Sequence, residues 1–157
     1  MITYESLNLK NRLEKLSSEK RTLFAIACGQ RMFDKLSDKT PNEIVSLLKK
    51  SLDALRNNFS TEDEIRSLYD ECNSAINETT EIIGAQIIYA LECKMNGSTQ
   101  SAEWTANCLY EKADSDVIER LNVDHVSKEI EQKILEDNEM QKELNWLEET
   151  MVSVEQS

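Results

Sequence analysis

Apolar residues recur three and four positions apart along almost the whole chain, the period of a helix with one buried face. Leu9, Leu13 and Leu16 make the first stripe, within about residues 4–16. Ser17 or Ser18 is placed to cap a second helix reaching about Leu36, with Leu23, Phe24, Ala27, Cys28, Met32 and Leu36 facing inward. Thr40-Pro41-Asn42-Glu43 has the spacing of a capping box with proline at the first helical position. It predicts a third helix to about Asn58, carrying Ile44, Leu47, Leu48, Leu52 and Leu55. Thr61-Glu62-Asp63-Glu64 is a second such box, and its acids suit the positive end of a helix dipole. The fourth helix then presents Ile65, Leu68, Tyr69, Cys72 and Ile76.

Thr79 or Thr80 opens a fifth helix, and Gly97 closes it as a left-handed cap. Its apolar residues, from Ile82 to Leu91, wrap most of its circumference, which predicts the central position in a bundle. Ser98 caps a sixth helix holding Ala102, Trp104, Thr105, Cys108 and Leu109. Asp114-Ser115-Asp116 reads as the start of a short seventh segment with Val117, Ile118 and Leu121. Asp124 opens a long last helix to about Met151. Its stripe is interrupted: between Leu135 and Leu144 only Met140 is apolar, and Asp137 and Asn138 fall where core residues belong. Either the helix bends there, or its C-terminal half leaves the bundle to dock elsewhere.

Composition narrows the architecture. The 157 residues contain three glycines and one proline, too few turn formers for a sandwich, a barrel or a doubly wound sheet. No two glycines lie close enough to form a phosphate-binding loop. No linker, repeat or low-complexity stretch divides the sequence. The prediction is one all-α domain over residues 1–157, an antiparallel bundle of about seven to eight helices with a long C-terminal one.

Charge is unevenly distributed. Thirty Asp+Glu against 18 Lys+Arg give a net charge of -12. Residues 1–60 hold 11 bases and 7 acids, a net +4, while residues 61–157 hold 7 bases and 23 acids, a net -16. Such a field opposes binding to a nucleic acid and steers cationic partners inward. Acidic clusters occur at Glu62-Asp63-Glu64, at Asp70-Glu71, at Glu78 with Glu81, at Asp114 with Asp116 and Glu119, and along Glu129 to Glu139.

Catalytic and metal chemistry is hard to build from this composition. The cysteines, Cys28, Cys72, Cys93 and Cys108, are too widely spaced for paired metal ligation and sit among apolar neighbours, so they read as buried thiols. His125 is the only histidine, has no nucleophile motif beside it and reads as a solvated side chain. A di-iron bundle needs Glu-x-x-His on two helices, which one histidine cannot supply. The sequence therefore reads as a non-enzyme without a cofactor. The N-terminus shows no secretory pattern, and no apolar run is long enough to span a membrane, so the expected location is the cytoplasm.

Arg12-Leu13-Glu14-Lys15-Leu16, then Leu23-Phe24-Ala25-Ile26-Ala27-Cys28-Gly29-Gln30-Arg31-Met32, resembles the opening of the YjaG-like proteins, an uncharacterised all-helical bacterial family. Ser101-Ala102-Glu103-Trp104 and Lys142-Glu143-Leu144-Asn145-Trp146 look like later corresponding parts. The chain departs from that pattern after Met32, at Phe33-Asp34-Lys35-Leu36. Similar small acidic helical proteins serve as immunity proteins encoded beside polymorphic or contact-dependent toxins. The resemblance thus implies a protein that neutralises a cognate toxin domain, basic in charge and with nucleases as one expected class, by occluding its active site. The partner-binding candidates are Glu78, Glu81, Asp114, Asp116 and Glu119, expected at loops and helix ends, with Trp104, Tyr110 and Trp146 as aromatic anchors whose alternative is burial. The competing expectation is a housekeeping or adaptor protein that self-associates through its last helix. Monomer and homodimer both fit the sequence.

Overall fold

A 3-10 turn (Glu5–Leu7) leads into α1 (Leu9–Glu14), α2 (Ser18–Asp34), α3 (Asn42–Arg56), α4 (Glu62–Ala75), α5 (Glu81–Asn96), α6 (Thr99–Leu121), α7 (Lys128–Glu136) and α8 (Asn138–Gln156). The computed structural model describes residues 1–75 and 81–157, and side chains at 1–75 and 84–157. Among the described residues there is no strand, and the fold is all-α. No helix among them is long and apolar enough to cross a membrane.

Caps set most of the helix ends. The Ser17 hydroxyl accepts from Lys20 N at the head of α2, Thr61 Oγ1 from Glu64 N at α4, Ser98 Oγ from Ser101 N at α6, and Ser127 Oγ from Ile130 N at α7. Each satisfies an amide that the first helical turn leaves without a partner. Gly97 ends α5 with φ of +67°, a region that costs an L side chain energy. The capping box expected at Thr40 does not form: Pro41 occupies the cap position of α3 and its side chain has no hydrogen-bonding atom to offer.

α5 is the central helix, packing against α2, α3, α4 and α6, as its nearly continuous apolar surface predicts. It buries Ile87, Ala90, Leu91 and Cys93 fully. α6 runs beside it and contacts α1, α2 and α8 as well. The core continues through Phe24 and Met32 of α2, Leu52 and Leu55 of α3, and Leu144, Leu147 and Met151 of α8. Burial of each such side chain contributes about 1.5–3 kcal/mol.

Three expectations are corrected. First, Asp114-Ser115-Asp116 does not start a helix. α6 passes through it without a break, because Leu109, Ala113 and Val117 continue one buried stripe across the segment. Asp114 and Asp116 therefore lie within a helix, not at a loop or helix end, while Glu119 falls in its last turn. Second, the final helix does not run unbroken from Asp124. Residues 122–127 connect α6 to α7, and Asp137, with φ -63° and ψ 137°, separates α7 from α8. Its carboxylate accepts from Glu139 N to cap α8, and it pairs with Arg120 of α6 at 2.7 Å. The interruption in the stripe is thus a helix break, and α8 packs back in cis onto α2 and α6. Third, Leu23 does not face inward; it is 52% exposed.

Candidate functional site

The site is built where the N-terminal residues, the second half of α6 and α7 meet. Gln141, in the first turns of α8, anchors the N-terminus: its Nε2 donates to Ile2 O at 2.9 Å and to Leu135 O at 2.8 Å, and its Oε1 accepts from Ile2 N at 3.2 Å. One amide therefore fixes both the N-terminal segment and the end of α7. Tyr4 follows, its ring centroid 4.7 Å from that of Tyr110 on α6. These rings lie within the range of stabilising aromatic pairs.

Between these walls lies a cleft of about 480 Å³. Tyr4, Tyr110, Ile118, Val126, Ile134 and Met140 give it apolar sides, and Glu5, Asp114 and Glu131 bring three carboxylates to it. The Tyr110 phenol reports the same convergence. Burial raises its pKa first, followed by the negative charges of Asp114, Glu5 and Glu131. Asp114 itself is held above the ordinary carboxylate range, first by burial and then by Glu111 three residues earlier on α6. The Tyr4 hydroxyl is buried and has no hydrogen-bond partner among the described residues. Burial also raises its pKa. A half-buried carboxylate in a cleft that two other carboxylates also line, with no Lys or Arg among its described lining residues, is an arrangement that favours a positively charged visitor.

The candidates named from the sequence separate in space. Glu78 lies outside the described residues. Glu81 is the first residue of α5, and its side chain lies outside them too. Of the acidic candidates only Asp114 lines the cleft, and of the aromatic ones only Tyr110. Asp116 lies about 200° around the helix from it, at the α-helical 100° per residue. There it meets Lys112 at 3.0 Å in an exposed i, i+4 pair. Glu119 is exposed on the same flank as Asp116. Trp104, 38% exposed, packs against Tyr89 of α5 with ring centroids 4.9 Å apart. It sits ten residues, about 15 Å, up α6 from Asp114. Trp146 is half-buried under the Arg31 guanidinium, which stands 4.6 Å from its ring centre.

Tyr4, Glu5, Val126 and Glu131 complete the cleft. Glu131 stands out in sequence only as a member of an acidic run, and nothing local marks Tyr4 or Glu5, because 105 or more residues separate them from Tyr110 and its neighbours.

The thiols are enclosed. All four cysteines are free and buried, and burial pushes Cys108 up to about 12. Among the described residues no group of three His, Cys, Asp or Glu side chains is placed to hold a metal ion. No family model matches the chain, and no curated protein or solved structure matches it.

Proposed function

We propose that this chain is an immunity-type binding protein that neutralises a basic protein domain, using the cleft around Asp114 as the receptor for a Lys or Arg side chain of that partner. The observation that carries the reading is the convergence of Glu5, Asp114 and Glu131 on one partly apolar cleft. Three acids there leave a local excess of negative charge that a cation from outside relieves. The apolar walls strengthen that pairing by excluding water from it. The partner's own active site need not be mimicked in detail; a rigid helical surface anchored beside it blocks access.

Net charge supports the same reading. The -16 carried by residues 61–157 attracts a basic partner over distances comparable to the Debye length, about 8–10 Å at physiological salt. Catalysis has less to work with: the single histidine, His125, sits exposed in the connection between α6 and α7, and the buried thiols are poor nucleophiles. Self-association through the last helix has less support, since Met140, Leu144, Leu147, Met151 and Val154 of α8 are buried within this chain. The experiment is to look for a basic domain in the reading frames neighbouring the gene, mix it with the protein and measure complex formation. A complex disrupted by Asp114→Lys supports the proposal, and no complex at low salt contradicts it.

A further inference from the structure

A second surface lies at the other end of α6. A groove of about 940 Å³ runs between the first half of α2, the end of α3 and the end of α5, with Leu23, Ile26, Leu55 and Met95 as its apolar residues. A smaller hollow of about 230 Å³ adjoins it, sharing Lys94 and Met95 and reaching Ser60 and Ile65. Phe59 stands on the boundary, between Asn58 of the groove and Ser60 of the hollow, and is 91% exposed.

That exposure is built into a braced turn. Phe59 N donates to Asn57 Oδ1 at 2.9 Å, Ser60 N to Asn57 O at 3.1 Å, and Ser60 Oγ to Ala54 O at 2.7 Å. A ring carried into water on a braced turn needs little further ordering of its backbone when it is buried, which suits an interface anchor.

We propose that a second copy of this chain occupies the groove, in a two-fold pairing that seats Phe59 of each copy in the groove of the other. A two-fold interface uses the same patch on both partners and must complement itself. This patch contains both halves of such a fit, a projecting ring and a hollow beside it. Its rim also balances in charge, with Glu19 and Glu62 against Arg56 and Lys94. The net charge of -12 sets like charge against like when two copies approach, which favours pairing through a face whose own charges balance. The groove shares no lining residue with the Asp114 cleft, and Thr99 to Asp114 spans about 22 Å of α6. A dimer would leave both clefts open.

Sedimentation of the full chain over a concentration series, for wild type, Phe59→Ser and Leu23→Ser, tests the proposal. The wild type is expected to move from monomer to dimer, with tighter pairing as salt screens the net charge of -12. Each substitution should weaken the dimer about tenfold or more. Both side chains are exposed, so circular dichroism and melting should not change. A wild type that stays monomeric up to millimolar concentration overturns the proposal, as does a dimer indifferent to both substitutions. The opposite salt dependence separates this result from binding at the acidic cleft, which salt weakens.

Discussion

Arg31 of α2 and Glu143 of α8 form a two-pronged ion pair across the bundle, Nε to Oε1 at 2.8 Å and Nη2 to Oε2 at 3.2 Å. Lys35 adds a third contact to the same carboxylate. Glu143 is 1% exposed, whereas Arg31 and Lys35 keep 25% and 39% of their side chains in water. The two sides of the pair therefore differ in what their loss leaves behind. Arg31→Met strands a buried carboxylate with Lys35 alone and should approach the about 3–5 kcal/mol seen when a buried pair loses a partner. Glu143→Gln leaves two cations that can turn to solvent and should cost about 1–3 kcal/mol. Urea unfolding of both variants checks the order.

Gly97 joins α5 to α6 with no room for a side chain. A Cβ there would stand 2.7 Å from Ser18 Cβ, and the carbonyl of Gly97 accepts from Arg21 Nε at 2.7 Å. Arg21 also donates to the Leu13 and Leu16 carbonyls, so one guanidinium ties the ends of α1 and α5 to the start of α2. Gly97→Ala should cost about 1–2 kcal/mol for the left-handed backbone alone, with the clash added. Thermal melting measures the loss.

Local signals carried much of the fold and little of the site. Ser17, Thr61, Ser98 and Gly97 end helices where their chemistry predicts, since a cap involves only neighbours within one turn. Asp114-Ser115-Asp116 misleads for the same reason. It has cap chemistry, but Ala113 and Val117 bury on one stripe and tertiary packing overrides the local preference. The cleft is a non-local object. It joins Glu5, Asp114 and Glu131 from three elements, and the Gln141 amide that fixes two of its walls is an ordinary polar residue in sequence. Glu143 likewise reads as one more surface acid until α2 is laid beside it.

Asp114 should weaken the fold at neutral pH. Its carboxyl titrates above the ordinary range in the folded protein, so ionisation favours the unfolded chain. That penalty is absent below the unfolded value. It grows as pH rises toward the folded value, and stays constant above it. Asp114→Asn removes it, so variant and wild type should be closest in stability near pH 3 and the variant more stable near pH 7. Melting temperatures of the two proteins across this range check the sign.

The cysteines should be inert in the folded state. Burial raises Cys28, Cys72, Cys93 and Cys108 alike, which keeps each as a thiol at neutral pH. Reaction with a disulfide reagent should follow unfolding, and chelators should leave the melting temperature unchanged. Four rapidly reacting thiols in the native protein would contradict this.

The central claim is that the Asp114 cleft, not net acidity, receives the basic partner. Asp114→Lys and Asp116→Lys change the net charge equally, but only Asp114 lines the cleft. Association and dissociation of each variant with the cognate basic domain, sought in the reading frames neighbouring the gene, at low and high salt, is the deciding measurement. The cleft predicts a loss of about 2–5 kcal/mol of binding for Asp114→Lys. It predicts a change within about 0.5 kcal/mol for Asp116→Lys. Equal losses for the two variants, or none for either, would contradict it.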